Sequence, residues 1–183
     1  MKKIIFTVSI ILTLFNFSCD KDDSLDPRPV LLKGQFVYFD ITDKRFNSDD
    51  LLNSRFGGIL TTPGNNIALY KLYVRKFDGA NPATDFKLIK EVTNFPFELK
   101  LSVQDIANAL NVPSSSVKYG DVFGFYGESF SFEGKRSDYS NLSAVIQANS
   151  GSYKHAYRFN TDVYDSSGFT PLELENFNNY LGQ

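Results

Sequence analysis

Alternation of apolar and polar residues is the main signal along this chain. Phe95, Phe97, Leu99 and Leu101 alternate with Pro96, Glu98 and Lys100, which gives an extended segment one apolar and one polar face. Tyr70, Leu72 and Val74 share a face, with Lys71 and Arg75 opposite. Tyr153, His155, Tyr157, Phe159 and Val163 alternate with Lys154, Arg158, Asn160 and Asp162. Residues 36–39, 55–61, 86–92, 122–132 and 142–147 are further strand candidates. Clusters of Gly, Pro, Asn and Asp at 62–66, 78–82 and 133–135 bound several of them. About eight half-buried strands at this spacing predict an all-β fold, an antiparallel β-sandwich. In the strand at 122–132, Phe123, Phe125, Phe130 and Phe132 are too many for one core face, so both faces of it are expected to be covered.

Two segments carry a helical period instead. Ser102 followed by Asp105 has the form of a capping box, and Val103, Ile106, Ala107 and Leu110 then fall on one helical face. Pro113 stops the helix after about two turns. A second box, Thr170-Pro171-Leu172-Glu173, opens a C-terminal helix within 165–183 that carries Leu174, Phe177 and Leu181. That helix is the expected cover for the outer face of the Phe-rich strand.

The start of the chain has another pattern. Lys2 and Lys3 precede an apolar run from Ile4 to Phe15. At about 18 Å as a helix, this run is too short for the roughly 30 Å hydrocarbon core, and it reads as a secretory signal over residues 1–18. It ends at Cys19, the only cysteine. Asn16-Phe17-Ser18-Cys19 resembles the lipobox of bacterial lipoproteins, although Asn16 and Phe17 stand where Leu and a small residue are usual. The resemblance implies cleavage before Cys19 and a diacylglycerol on its thiol. Asp20, Lys21, Asp22 and Asp23 resemble the acidic surface-export signal of Bacteroidota lipoproteins. In enterobacteria an Asp at this place resembles an inner-membrane retention signal. Abundant Phe, Ile, Lys, Asn and Tyr, the bias of an AT-rich genome, agrees with the former. Asp23-Ser24-Leu25 resembles the short O-glycosylation site of the same phylum. Residues 19–31 have little to bury and read as a flexible tether of up to about 40 Å.

Residues 95–99, 102–107 and 119–123 (strand, short helix, Gly-Asp-led strand) resemble a recurring stretch of Bacteroidota lipoproteins. Those are the Ig-like or fibronectin-III-like lipoproteins found beside starch-utilisation-type outer-membrane transporters. The resemblance spans 32–164 and implies an Ig-like/fibronectin-III-like sandwich there. It also implies outer-membrane anchoring, surface display and an accessory role in nutrient (glycan) capture. It supplies no functional residue beyond Cys19.

Composition narrows the chemistry. One cysteine and one histidine in 183 residues exclude disulfides within the chain, a multi-cysteine zinc site and two-histidine ligation. A formal charge of −2 gives no basic footprint for nucleic acid, and loss of Lys2 and Lys3 with the signal makes the mature chain more acidic. No nucleophile elbow or phosphate-binding loop is present. His155 lies in an apolar row and reads as a core or rim histidine. Glu98 and Glu128 read as ion-pair partners on strand faces. The oxygen-rich stretch from Asp40 to Asp50 could hold calcium, but it lacks the spacing of an EF-hand; a solvated loop with Asx turns is the favoured reading, and no metal or cofactor is expected. With no tryptophan, stacking platforms for a sugar are left to tyrosine, and Tyr73, Tyr119, Tyr126, Tyr139 and Tyr164 lie on polar faces or near turns.

Two readings follow. The first is a non-enzymatic lipid-anchored module that works with an outer-membrane uptake complex or a glycan. The second is a secreted glycan-processing or other hydrolase with a carboxylate pair that the 21 acids do not single out.

Overall fold

The computed structural model describes residues 36–147 and 154–165. These belong to the compact unit Gly34–Gln183. The signal peptide, Cys19, Asp20, Lys21, Asp22 and Asp23, the tether and the capping box of the C-terminal helix lie outside the described residues.

The chain runs through β1 (Tyr38–Asp43), β2 (Phe46–Asn47), β3 (Arg55–Thr61), β4 (Ile67–Asp78), β5 (Asn81–Pro82), β6 (Lys87–Val92) and β7 (Phe97–Ser102). It continues through α1 (Val103–Leu110), β8 (Val122–Ser131), β9 (Arg136–Asp138), α2 (Ala144–Gln147) and β10 (Arg158–Tyr164). A three-stranded sheet has the order β1-β3-β7. A larger sheet has the order β2-β10-β8-β4-β5, with β6 also pairing β4 and β9 also pairing β8. Strand pairs are antiparallel except β2 with β10, which is parallel. The fold is mostly β-sheet, with two sheets meeting across one core as in a β-sandwich.

The core is built from alternate strand positions. Phe56 and Leu60 come from β3, Leu99 and Leu101 from β7, Tyr70, Leu72 and Val74 from β4, Phe123 and Phe125 from β8, and Phe159 and Val163 from β10. Phe56 stacks on Phe125 across the sheets at 5.1 Å, and Phe125 on Phe159 at 5.0 Å. Two buried tyrosines carry their hydroxyls into this core, and both are bonded. Tyr70 donates to the Ala156 carbonyl, and the Tyr157 hydroxyl meets Ser129 Oγ at 2.8 Å. Satisfied in this way, a buried hydroxyl adds specificity without the cost of an orphaned polar atom.

The predicted helix forms where expected. Ser102 Oγ accepts from the Asp105 N–H at 3.2 Å, and Asp105 Oδ2 accepts from the Ser102 N–H at 2.8 Å. Val103, Ile106, Ala107 and Leu110 are its buried face, and Asn111 closes it in the left-handed conformation at φ 58°. Replacing Ser102 by alanine removes the cap and is expected to cost about 1 kcal/mol, read as a lower urea midpoint at unchanged slope.

Two local expectations fail for physical reasons. Residues 142–147 do not form a strand. The Ile146 and Gln147 N–H groups both bond to the Ser143 carbonyl, and the Gln147 side chain donates to the carbonyls of Tyr139 and Leu142, which closes the short helix α2. The strand expected from Tyr153 begins only at Arg158. Before it, His155, Ala156 and Tyr157 are buried in succession while Lys154 bonds to β1 and Ala156 to the residue just before it, through Phe39 N–H to the Lys154 carbonyl and Ala156 N–H to the Val37 carbonyl. The inner face of β8 is covered as expected; the helix expected over its outer face lies outside the described residues. The odd offset from Phe125 to Phe130 moves the later pair off the core side: Phe130 is half-buried on the outer face, and Phe132 is 74% exposed beyond the strand end.

Candidate functional site

Register builds an aromatic row on the outer face of the larger sheet. Leu88 of β6 pairs with Tyr73 of β4, Tyr73 with Tyr126 of β8, and Tyr126 with Arg158 of β10. Alternation turns Tyr73 and Tyr126 outward, because their neighbours Leu72, Val74, Phe125 and Gly127 are buried. A register shift in the β4–β6 pairing, opposite Leu72 and Tyr73, sets Leu88 beside Tyr73. Tyr73 and Tyr126 stand 6.3 Å apart with rings inclined at 46°. Phe86, just before β6, lies 5.5 Å from Tyr126 at 42° and is 37% exposed. The Arg75 guanidinium lies 4.6 Å from the Phe77 ring centre and 4.5 Å from that of Phe86, so it is stacked against both. Gly124 makes room for the Phe77 ring, because a Cβ there would meet that ring, with Cζ at 3.1 Å.

The next row is charged. Lys71, Glu128 and Asp138 are cross-strand neighbours on β4, β8 and β9. Arg136 Nη2 bonds to Glu128 at 2.5 Å, to Asp138 at 2.9 Å and to the Tyr126 hydroxyl at 3.3 Å. The Tyr73 hydroxyl donates to Glu128 at 3.2 Å, and Lys71 pairs with Glu91 at 3.0 Å. Both tyrosine hydroxyls are therefore tied to one ionic network, which fixes their rings. Burial, then the negative charge of Asp138, pushes Tyr126 up to about 12, so its hydroxyl stays protonated as a donor at neutral pH. Burial raises the pKa of Asp138, but hydrogen bonds from Ser140 and Tyr126 and the charge of Arg136 outweigh it and leave the group below its ordinary value. Asp138 is thus held anionic, the opposite of what a general acid needs.

Of the five candidate tyrosines, the structure brings Tyr73 and Tyr126 together. Tyr119 is 47% exposed in the turn before β8. Tyr139 lies against His155 and beneath Arg158, and Tyr164 packs under Arg45, whose guanidinium pairs with Asp162. Phe86 and Leu88 are contributors that sequence reading missed. Their shared parity in 86–92 was the available signal. Glu98 pairs with Lys100 at 2.7 Å on the exposed face of β7, and Glu128 with Arg136, as expected of both acids.

In the oxygen-rich loop, Asp40 pairs with Lys154 at 2.5 Å, Asn47 Oδ1 accepts from the Asp49 N–H at 3.0 Å, and Asp50 accepts from the Asn53 amide at 2.9 Å. Among the described residues no three His, Cys, Asp or Glu side chains converge as metal ligands would.

His155 is 5% exposed, and its Nδ1 accepts from the Tyr157 N–H at 3.3 Å. Burial, with help from the Arg158 charge, lowers its pKa. The unfolded chain then takes up the proton more readily than the folded one. Stability is full above the ordinary histidine pKa of about 6.5 and is lost as pH falls through that value towards the folded pKa. Because this is the only histidine, urea unfolding between pH 7 and 5 is expected to show falling stability, and His155→Asn to flatten that dependence.

No family model matches this chain, and no curated protein or solved structure is significantly similar to it.

Proposed function

We propose that this chain is a non-enzymatic surface lipoprotein, anchored in the outer membrane through a lipid on Cys19. Its sandwich, of the Ig-like or fibronectin-III-like kind, serves as an accessory binding module in nutrient capture with an uptake complex. The observation that carries the binding reading is the outer face of the larger sheet. There, the half-buried Tyr73 and Tyr126 are held by an ionic network through their hydroxyls, with the 37%-exposed Phe86 beside Tyr126. A hydrolase would need two carboxylates free to act as acid and as base or nucleophile. Glu128 and Asp138, opposed in register, instead share Arg136.

The leader ending at the only cysteine, with Asp20, Lys21, Asp22 and Asp23 directly after it, supports the address. Tethering then supplies the mechanism. The anchor confines the module to the membrane plane, so weak contacts with a partner there act at high effective concentration. Two measurements on cells test the reading. A palmitate analogue should label the wild type and not Cys19→Ser, and mild crosslinking should recover an outer-membrane transporter or receptor component. An unlabelled wild type, or no such component, rejects it.

A further inference from the structure

We infer that the end of the sandwich carrying the β8–β9 turn is a seat on a lipid surface, with the Phe132 ring entering the headgroup layer. This rests on the Cys19 anchor proposed above and adds how the module stands on the membrane. Register sorts the loops into two ends. Tyr38 at the start of β1 pairs with Thr61 at the end of β3, Ile67 at the start of β4 with Ser131 at the end of β8, and Tyr70 with Val92 at the end of β6. Stretches 36–37, 62–66, 93–96 and 132–135 therefore share one end. At the other, Asp43 pairs with Gly57 and Phe77 with Val122, and stretches 43–54, 78–86 and 111–121 lie there.

Three observations choose between the ends. The first is connection. The described residues begin at Phe36, so the chain coming from Cys19 joins the domain at the end that carries Phe132. The second is charge. Residues 62–66, 93–96 and 132–135 hold one acid and one base, Glu133 and Lys135, which pair at 3.2 Å. The three stretches at the opposite end hold six acids and three bases, with Asp43, Asp49, Asp50, Asp78 and Asp85 all exposed. An anionic lipid surface repels that end, although Leu52, Val112 and Tyr119 are exposed there, and lets the neutral end approach.

The third is presentation. Phe132 is 74% exposed at the corner of a pinned turn. The Gly134 N–H donates to the Ser131 carbonyl at 2.9 Å, and Ser131 Oγ accepts from the Glu133 and Lys135 N–H groups, each at 3.2 Å. Gly134 closes the turn at φ 78°. The ring is thus held out in water, where it adds nothing to the core. A headgroup layer would bury it at the depth that aromatic side chains favour, with little ordering left to lose. Lys135 sits in an exposed pair of little strength, so it can exchange Glu133 for a lipid phosphate.

The test uses the lipidated protein in vesicles of phosphatidylethanolamine and phosphatidylglycerol, part of the lipid brominated along its acyl chains. The chain has no tryptophan, so Phe132→Trp and, at the acidic end, Leu52→Trp each install a single reporter. Emission of Phe132→Trp should shift to shorter wavelength and lose intensity to the brominated lipid; Leu52→Trp should do neither. Hydrogen exchange reads the unaltered protein. Its amides at 132–135 should exchange more slowly in vesicles than those of Phe132→Ser in the same vesicles, while those at 78–86 exchange alike in both. Phe132 lies outside the core, so neither substitution there disturbs the fold.

No quenching of Phe132→Trp, quenching of Leu52→Trp that equals it, or exchange unchanged by Phe132→Ser would overturn the seat. So would a shift seen in native outer membranes and not in pure lipid, which would assign the turn to a protein partner. The anchor fails by a different result. Protein with unlabelled Cys19 that does not float with the vesicles rejects the anchor and the seat together. Labelled protein that floats but leaves Phe132→Trp unquenched keeps the anchor and loses the seat.

Discussion

Replacing Phe56 by alanine is expected to cost the fold about 4–5 kcal/mol, near the upper end for a buried phenylalanine. Phe56 has no exposed surface, and its ring meets four others: Phe125 at 5.1 Å, Phe39 and Phe159 at 6.0 Å and Phe46 at 6.2 Å. It belongs to the three-stranded sheet, whereas Phe125 and Phe159 belong to the larger one, so the ring is a principal contact between the two sheets. Alanine leaves a cavity walled by rigid rings that cannot collapse inward, which is the condition for a large cavity contribution. A fold of this size has about 5–15 kcal/mol in total, so the variant loses a large fraction of it. Urea unfolding should show the midpoint falling at constant slope, with Phe56→Leu recovering part of the loss. Phe132→Ala, at a side chain 74% exposed, should stay within about 0.5 kcal/mol of wild type. A Phe56→Ala loss below about 2 kcal/mol would mean that the sheets do not meet through this ring.

The features legible from the amino-acid sequence are those decided within a few residues. Ser102 and Asp105 cap a helix three positions apart, and the face of Tyr70, Leu72 and Val74 is set by alternation within one strand. The outward placement of Tyr73 and Tyr126 was legible for the same reason. Their meeting was not, because it depends on the register of β4 against β8, strands distant in sequence, and that register is settled by core packing on the opposite face. The shift that sets Leu88 beside Tyr73 is likewise a property of the strand pair and not of either strand. The Arg136 network lay further out of reach, since β9 is three residues long and its acid and base look like any solvated turn. Residues 142–147 failed differently. Leu142, Ala144 and Ile146 alternate as a strand would, but six residues are too few to separate a period of two from one turn of helix.

Alanine at Gly58 is expected to destabilise by about 3 kcal/mol or more, although it adds a single methyl group. Gly57 and Gly58 are consecutive in β3, the middle strand of the three-stranded sheet. A Cβ on Gly58 would stand 2.8 Å from the Asp40 carbonyl carbon and from the Ile41 Cα, and closer still to the Asp40 oxygen; one on Gly57 would stand 2.8 Å from the Leu99 carbonyl carbon. All of these are backbone atoms, so no side-chain rotation relieves the clash. The only relief is to move β1 or β7 away from β3, which gives up ladder hydrogen bonds at about 0.5–1.5 kcal/mol each and loosens the packing beneath Phe56. Gly64 is the matched control. Its nearest neighbour would be Asn66 Oδ1 at 3.7 Å, and it has no left-handed φ, so Gly64→Ala is expected to be neutral or to stabilise by about 0.4–1 kcal/mol through a less flexible unfolded chain. Thermal and urea unfolding of Gly57→Ala, Gly58→Ala and Gly64→Ala therefore probe the two sides of β3 separately. A Gly58→Ala protein within about 1 kcal/mol of wild type would show that β1 does not run beside β3 in this register. The paired glycines thus make the strand order of the smaller sheet a measurable quantity, independent of any ligand on the larger one.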